Sequence, residues 1–433
     1  MKTLKAYKFR LNPDEATLEL LKQHGGNGRF LWNQLVSFSK DFNDQKGRFP
    51  TQSELQKQII VLKEEHDFLK TSHSQPLQIN AKRLNKTNFD SIKPEKIKER
   101  KIKLAKAKTP KQKAKDLNFG KPKHKSKHDK NDSIFYPQNF KVKKGRIFVA
   151  KIGWIPFIKH RDILGVPKTL TINQDGEQWF CSIVCEIKLK QINKKPLSEA
   201  NIVGIDVGLT TFATMSDGSK IENPRTLRKN LKKLKKEQKR LSRRKFIKTE
   251  INGNSVKSSS KNRIKQKNKV RRIHRKVKNV RSDFLHKTSH YMIAKYDGVI
   301  IETLGIKNML ENGNSNQNRE TNDVSWFEFG RQLEYKAKQN GKYFVKIERF
   351  FPSTKTCSKC KSIKDMELKD RTYKCPVCGL EINRDHNAAI NILEEGIKVL
   401  KNTTGTVGIN ACGQSAVADM VEARKVSKTA CAA

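Results

Sequence analysis

A chain of 433 residues with 35% hydrophobic content can build two or three cores and is too lean for one large globule. Its 92 Lys and Arg against 43 Asp and Glu leave a formal charge of +49, a self-repulsion that a polyanion, above all a long nucleic acid, would neutralise. No apolar run is long enough to span a bilayer and MKTLKAYKFRLNP lacks the apolar stretch of a signal peptide, so a membrane partner is excluded and a cytoplasmic protein is expected, nucleoid-associated when bound to DNA.

Residues 3–11 alternate as a strand. Pro13-Asp14-Glu15 then open a helix with Leu18, Leu21, Phe30 and Leu31 at helical intervals, which Gly25, Gly26 and Gly28 are expected to interrupt. Further helical patterns cover 31–42, 53–63 and 77–89, and the Lys-rich stretch 93–130 reads as a basic arm or linker outside any core. From 133 to 188 the chain turns to short β-rich runs with hairpin turns at Lys144-Gly145 and Asp175-Gly176, which predict a small barrel or sandwich. Cys181 and Cys185 lie in one of these apolar runs and are expected to be buried thiols. Of the aromatics here, Tyr136, Phe140, Trp154 and Phe157 read mainly as barrel core, with base stacking as the alternative.

A polar linker over 189–200 leads to NIVGIDVGLTTFATMSDGSKIE, read as three strands with turns at Gly208 and Asp217-Gly218. Between 225 and 281 the only acids are Glu237 and Glu250, while Leu227, Leu231, Leu234 and Leu241, then Val270, Ile273, Val277 and Val280, recur at helical spacing. Two helices joined by the loop INGNSVKSSS are predicted, a basic hairpin whose exposed face tracks phosphates. YDGVIIETLGI (strand), WFEFGRQLEYKAKQ (helix), KYFVKIERF (strand) and the amphipathic RDHNAAINILEEGIKVL follow, and 402–433 is expected to be a disordered tail holding Cys412 and Cys431.

Cys357, Cys360, Cys375 and Cys378 form two CxxC pairs, each able to turn two sulfurs onto one cation; together they match the tetrahedral thiolate set of a structural Zn²⁺ ribbon. Asp206 follows an apolar strand, Glu302 ends a second, and Asp385 opens the last helix. Each could be a bland turn, strand-end or N-cap residue. Jointly, in the order three strands, helix, strand, helix, strand, helix, they outline an RNase H-like sheet on which three carboxylates converge, as two-metal phosphoryl chemistry requires.

GIDVG with Asp206, IIETLGIKNM with Glu302, and FPSTKTCSKC through RDHNAAINI with Asp385 resemble the three RuvC motifs and intervening zinc ribbon of the TnpB (OrfB) family of insertion-sequence proteins, which are similar to the ancestors of type V CRISPR effectors. YKFRLNP and RFLWNQ also look like that family's N-terminal pattern, and Arg319, Asp323 and Trp326 match a further block in which Thr321 fills a usually apolar position. The resemblance implies a multidomain α+β and α/β chain. Residues 1–12 would give the first strand of a wedge β-barrel, 13–115 a helical recognition domain with a basic linker, and 116–198 the rest of the barrel. Residues 199–355 would form most of a RuvC nuclease domain with a basic hairpin at 225–290, 356–381 the zinc ribbon, and 382–401 the last RuvC helix. It further implies an RNA-guided DNA endonuclease that takes a guide RNA from the transposon end, recognises a short motif beside its target DNA, and cuts with Mg²⁺, two ions being expected, held by Asp206, Glu302 and Asp385. A functional link to a separate transposase would follow. The alternatives are a transposase acting directly on DNA strands and a non-cleaving RNA-guided binder.

Overall fold

The computed structural model describes residues 2–107, 109–126, 132–188, 192–244, 246–251, 254–367 and 370–404. The chain divides into two compact units, 1–190 and 191–433. Among the described residues no helix is long and apolar enough to cross a membrane.

The first unit begins with strand β1 (Lys2–Leu11), followed by helices α1 (Glu15–Lys46), α2 (Gln52–Glu65), α3 (Ser74–Ser91), α4 (Pro94–Ala105) and α5 (Pro110–Leu117). Strands β2 (Ser133–Tyr136), β3 (Phe140–Lys143), β4 (Arg146–Val149), β5 (Gly153–Ile158), β6 (Val166–Asp175) and β7 (Gln178–Lys188) complete it. The seven strands form one sheet in the order β2-β6-β7-β1-β5-β4-β3. Alternate residues of every strand, edges included, enter a single cluster with Tyr7, Phe9, Tyr136, Ile155 and Ile172, so the sheet curls around its own core, and Leu21 of α1 packs into it. Tyr136 and Phe157 are core residues and Phe140 packs against them, whereas Trp154 is 42% exposed beside Phe148. Cys181 and Cys185 are fully buried, as expected, and burial pushes the Cys181 thiol up to about 12.

The glycines of α1 do not interrupt it. Asp14 caps the helix through Thr17 N–H, and the helix runs unbroken to Gly47, whose left-handed backbone ends it. Gly25 is instead a point of close approach: a Cβ there would overlap the side chain of Asp132, which pairs with Arg29 one turn along. The described part of the stretch read as a basic arm or linker outside any core is helical over α4 and α5. α4 and α5 each start on a proline, and although α4 buries no residue, Arg100 donates to the carbonyls of Ser91 and Phe119. Residues 121–126 then lie along α1, where Trp32 donates to Lys123 O (2.8 Å) and Asn33 exchanges two hydrogen bonds with Lys125.

The second unit contains β8 (Ile202–Val207), β9 (Thr211–Met215), β10 (Lys220–Glu222), α6 (Thr226–Arg243), β11 (Phe246–Ile251), β12 (Asn254–Ser259) and α7 (Lys261–Lys295). After these come β13 (Gly298–Glu302), α8 (Ile306–Asn312), α9 (Ser315–Val324), α10 (Trp326–Gln339), β14 (Tyr343–Ile347), β15 (Thr372–Lys374), β16 (Glu381–Asn383) and α11 (Arg384–Thr404). Its main sheet has the order β10-β9-β8-β13-β14, with β8, β13 and β14 parallel and β9 and β10 each antiparallel to its neighbour. α7 and α10 cover one face through Leu285, Met292, Phe329 and Leu333, and α11 covers the other through Ile392 and Leu400. Gly204 lets α11 approach β8 closely, since a Cβ there would overlap Ala389 O.

α6 and α7 form the predicted basic pair, held by Leu234, Val270 and Ile273. The expected loop between them is a strand pair, β11 and β12, in antiparallel register from Phe246↔Ser259 to Ile251↔Asn254. The sequence Asn252-Gly253 between the paired ends is a strong short hairpin signal that the helical reading overlooked. Glu237 is buried and accepts from Gln266 (2.7 Å), so one of the two acids of this region is withdrawn from the surface. The tail expected from 402 lies, over 405–433, outside the described residues; 402–404 continue α11.

Candidate functional site

Parallel pairing sets Ile205 of β8 opposite Ile301 of β13, so Asp206 and Glu302 are the next residues on neighbouring strands. Ile205 and Ile301 pack beneath α7 and α10, while Ile300 packs with α11. Strand alternation therefore turns Asp206 and Glu302 toward the α11 face, at the carboxyl ends of both strands. Asp385 sits in the first turn of α11. The capping role that Asp385 might have filled is taken by Asn383, whose Oδ1 accepts from Asp385 N and His386 N (3.1 and 3.2 Å). His386 Nε2 donates to Ser216 O, tying this turn to the β9–β10 connection.

Asp206 has its carboxyl pushed up to about 7, first by burial and then by the negative fields of Asp385 and Glu302, with Arg384 pulling the other way. Burial raises Glu302 to about 7 as well. The structure thus brings Asp385 and Glu302 near enough for their charges to act on Asp206. It does not close them into a ligand cage: among the described residues, only the four cysteines hold all their ligand atoms within 4.8 Å of one another.

The cysteine cluster repeats one turn twice. Lys361 N donates to Cys357 O and Gly379 N to Cys375 O, and Lys361 and Gly379 share the left-handed backbone (φ 64° and 67°) four residues after each first cysteine. Gly379 adopts it without a steric cost that Lys361 bears. The Cys357–Cys378 and Cys360–Cys375 sulfurs are 3.6 and 3.5 Å apart. Four thiolates at a Zn–S length of about 2.3 Å in a tetrahedron stand about 3.8 Å apart, so this set could hold a metal such as zinc. The Ser362 hydroxyl lies 3.1 Å from Cys360 Sγ and 3.2 Å from Cys375 Sγ and favours their thiolates, lowering Cys375 to about 5.

Sequence reasoning missed the groups joining this cluster to α11. Asn387 Oδ1 accepts from Ser358 N (2.9 Å) and its Nδ2 donates to Thr356 O (2.7 Å); Asn391 donates to Ser353 O and Thr356 O; Lys361 pairs with Glu394. Two asparagines four residues apart on an amphipathic helix were the available signal. In the block around 319–326, Asp323 accepts from Leu227 N (2.8 Å) and Arg281 (2.6 Å), fastening the foot of the α6–α7 pair to α9, while Thr321 and Trp326 are buried.

Three family models match in succession along the chain: a "Helix-turn-helix domain" over 1–47, the OrfB model described as "Probable transposase" over 182–313, and a "Cas12f1-like, TNB domain" over 326–392. InsQ of Escherichia coli K12, which carries a provisional name as an RNA-guided DNA endonuclease, is 29% identical over 418 residues, spanning 92% of this chain and 94% of InsQ. The chain belongs to the TnpB/OrfB family. Other TnpB/OrfB-like relatives are a Streptomyces pristinaespiralis protein with the same provisional name, 34% identical over 64% of this chain and 65% of its own length, and the mimivirus TnpB-like protein L770, 30% identical over 55% and 45%. In this TnpB/OrfB chain the segment matched as helix-turn-helix is one strand and one continuous helix. Solved structures of a Cas12f1–sgRNA–target DNA complex (TM-score 0.33, 16% identity, covering 91% of this chain and 100% of that one) and of the mini-RNA-guided endonuclease CRISPR-Cas_phi3 (TM-score 0.42, 10% identity, 92% and 92%) are also similar.

Proposed function

We propose that this TnpB/OrfB protein is an RNA-guided DNA endonuclease that hydrolyses target DNA at Asp206, Glu302 and Asp385. The observation that carries the reading is the register that sets Asp206 beside Glu302 on parallel strands, facing the helix whose first turn bears Asp385. A five-stranded sheet with two antiparallel strands followed by parallel ones, and a helix on each face, supports an RNase H-like, RuvC-type core. The curled seven-stranded sheet and the helices after β1 support a wedge barrel carrying a helical recognition insertion.

In their ionised forms the three carboxylates would hold Mg²⁺, two ions being the expectation. Bound there, the cations supply an activated water and neutralise the leaving oxygen. The chain's own contribution is to raise Asp206 by burial and by the fields of Asp385 and Glu302, and Glu302 by burial, so that in the metal-free protein they share their site with protons near neutral pH. Arg384 sets one positive charge beside Asp385 (3.4 Å), which limits that repulsion. The four cysteines would hold one structural Zn²⁺. The basic α6–α7 pair would track phosphates of guide or target, and base pairing with a guide RNA from the transposon end would supply sequence specificity.

The test is cleavage of duplex DNA by protein loaded with its co-purifying RNA in Mg²⁺. Asp206→Ala, Glu302→Ala and Asp385→Ala should each abolish cutting while RNA-dependent DNA binding persists. Full cutting by any one of them would remove that residue from the site, and cutting without RNA would overturn the guided reading.

A further inference from the structure

α11 presents two separate faces. Ala389, Ile392 and Leu393 lie on the sheet that carries Asp206 and Glu302. Asn387, Asn391 and Glu394, spaced by four and three residues and so stacked on one side of the helix, hold the chain around the first cysteine pair. These ties converge on a short segment. Asn387 grips Thr356 O and Ser358 N, the residues on either side of Cys357, and Asn391 adds a bond of 2.6 Å to the same Thr356 O and another of 2.9 Å to Ser353 O. Lys361, which completes the turn begun at Cys357, pairs with Glu394 and donates to Ser358 O (2.7 Å).

Asn387 is wholly buried and Asn391 nearly so. A buried amide left without partners costs more than its bonds contribute when made, so both side chains demand a knuckle of fixed shape. That shape depends on four sulfurs being held together, which thiolates do around a cation and not without one. Asn387 lies two residues beyond Asp385 in the first turn of the same helix. A knuckle that loses its shape therefore withdraws the partners of the turn that carries Asp385.

We propose that Asn387 is a positioning residue that couples metal occupancy of the four cysteines to the placement of Asp385, so that emptying the cluster weakens divalent-cation binding at Asp206, Glu302 and Asp385. This rests on the reading of those carboxylates as a metal site.

The test measures Mn²⁺ affinity of the full chain by calorimetry and electron paramagnetic resonance, in zinc-loaded and chelator-stripped forms, for wild type, Asn387→Ala and Asn391→Ala. In the wild type, stripping zinc should weaken Mn²⁺ binding about five- to tenfold, the lower end of the usual coupling between linked sites. In Asn387→Ala binding should be weak in both forms, so that the dependence on zinc disappears, and the cluster should lose zinc to a chelator faster. Asn391→Ala should show the same loss in smaller measure, and it carries the comparison if Asn387→Ala fails to fold. Mn²⁺ affinity indifferent to zinc in the wild type, or an undiminished zinc dependence in the variants, would overturn the coupling. Absence of any Mn²⁺ site that Asp206→Ala removes would overturn the carboxylate reading itself, and the coupling with it.

Discussion

Asp206→Asn should make the metal-free protein more stable at pH 8 while destroying its metal site. Moving a carboxyl from its ordinary 3.8 to about 7 means that ionising it in the folded chain costs about 4 kcal/mol more than in the unfolded one, at about 1.4 kcal/mol per tenfold change in acidity. Relaxation of Glu302 and water entry would absorb part of this, leaving a gain of about 2 kcal/mol, or about 4–8 °C in the melting midpoint of a unit this size. Because the folded chain holds more protons than the unfolded chain between about pH 4 and pH 7, the wild type loses stability as pH rises through that window and the variant does not lose this share. The advantage of the variant should therefore shrink toward zero as pH falls to 4. Thermal melts in chelator across pH 4–8 measure it, and the order should reverse in millimolar Mn²⁺, which stabilises only the wild type. A variant less stable than wild type at pH 8 in chelator, or an advantage independent of pH, would refute the crowded-carboxylate account.

Other consequences follow from the same geometry. The apparent affinity for Mn²⁺ should fall as pH drops through 7, because protons then occupy Asp206 and Glu302; calorimetry at pH 6, 7 and 8 reads this, and a flat profile would contradict it. Gly25→Ala should destabilise the first unit by about 2–4 kcal/mol, through overlap with Asp132 and loss of its buried pairing with Arg29, seen as a lowered midpoint in urea. Cys375→Ser should lower zinc content from one per chain and speed proteolysis within the ribbon; an unchanged content would refute the four-thiolate assignment. Replacing Lys232, Lys235 and Lys239 of α6 by Ala should weaken RNA binding and lower the slope of log affinity against log salt by about 2–3, whereas an unchanged slope would place the phosphates elsewhere.

What could be read from the sequence was mostly local. The cysteine spacing fixed a two-knuckle cluster because each turn closes within five residues, although nothing in the sequence marked Lys361 for the same left-handed backbone as Gly379. The apolar runs before Asp206 and Glu302 announced two buried strands, but their side-by-side placement depends on a parallel register across nearly a hundred residues, which no local pattern encodes. Long-range contacts hid two further features. Gly25 looked like a helix breaker because its reason for being small, Asp132, arrives from a distant segment. The lysine-rich stretch read as an arm or linker because its ties to α1 run through the backbone of Lys123 and Lys125, bound by Trp32 and Asn33, and backbone groups leave no mark in composition. The β11–β12 pair was local and could have been found: the helical periodicity on both sides obscured its Asn-Gly signal.

The most direct measurement of the central claim is to rewrite the guide segment of the RNA bound to the purified protein and map cleavage on a plasmid bearing both the old and the new matching sites. The account predicts that the cut moves to the new site, requires Mg²⁺ or Mn²⁺, and is lost with Asp206→Ala. Cutting that stays at the old site, or that survives Asp206→Ala, would contradict it.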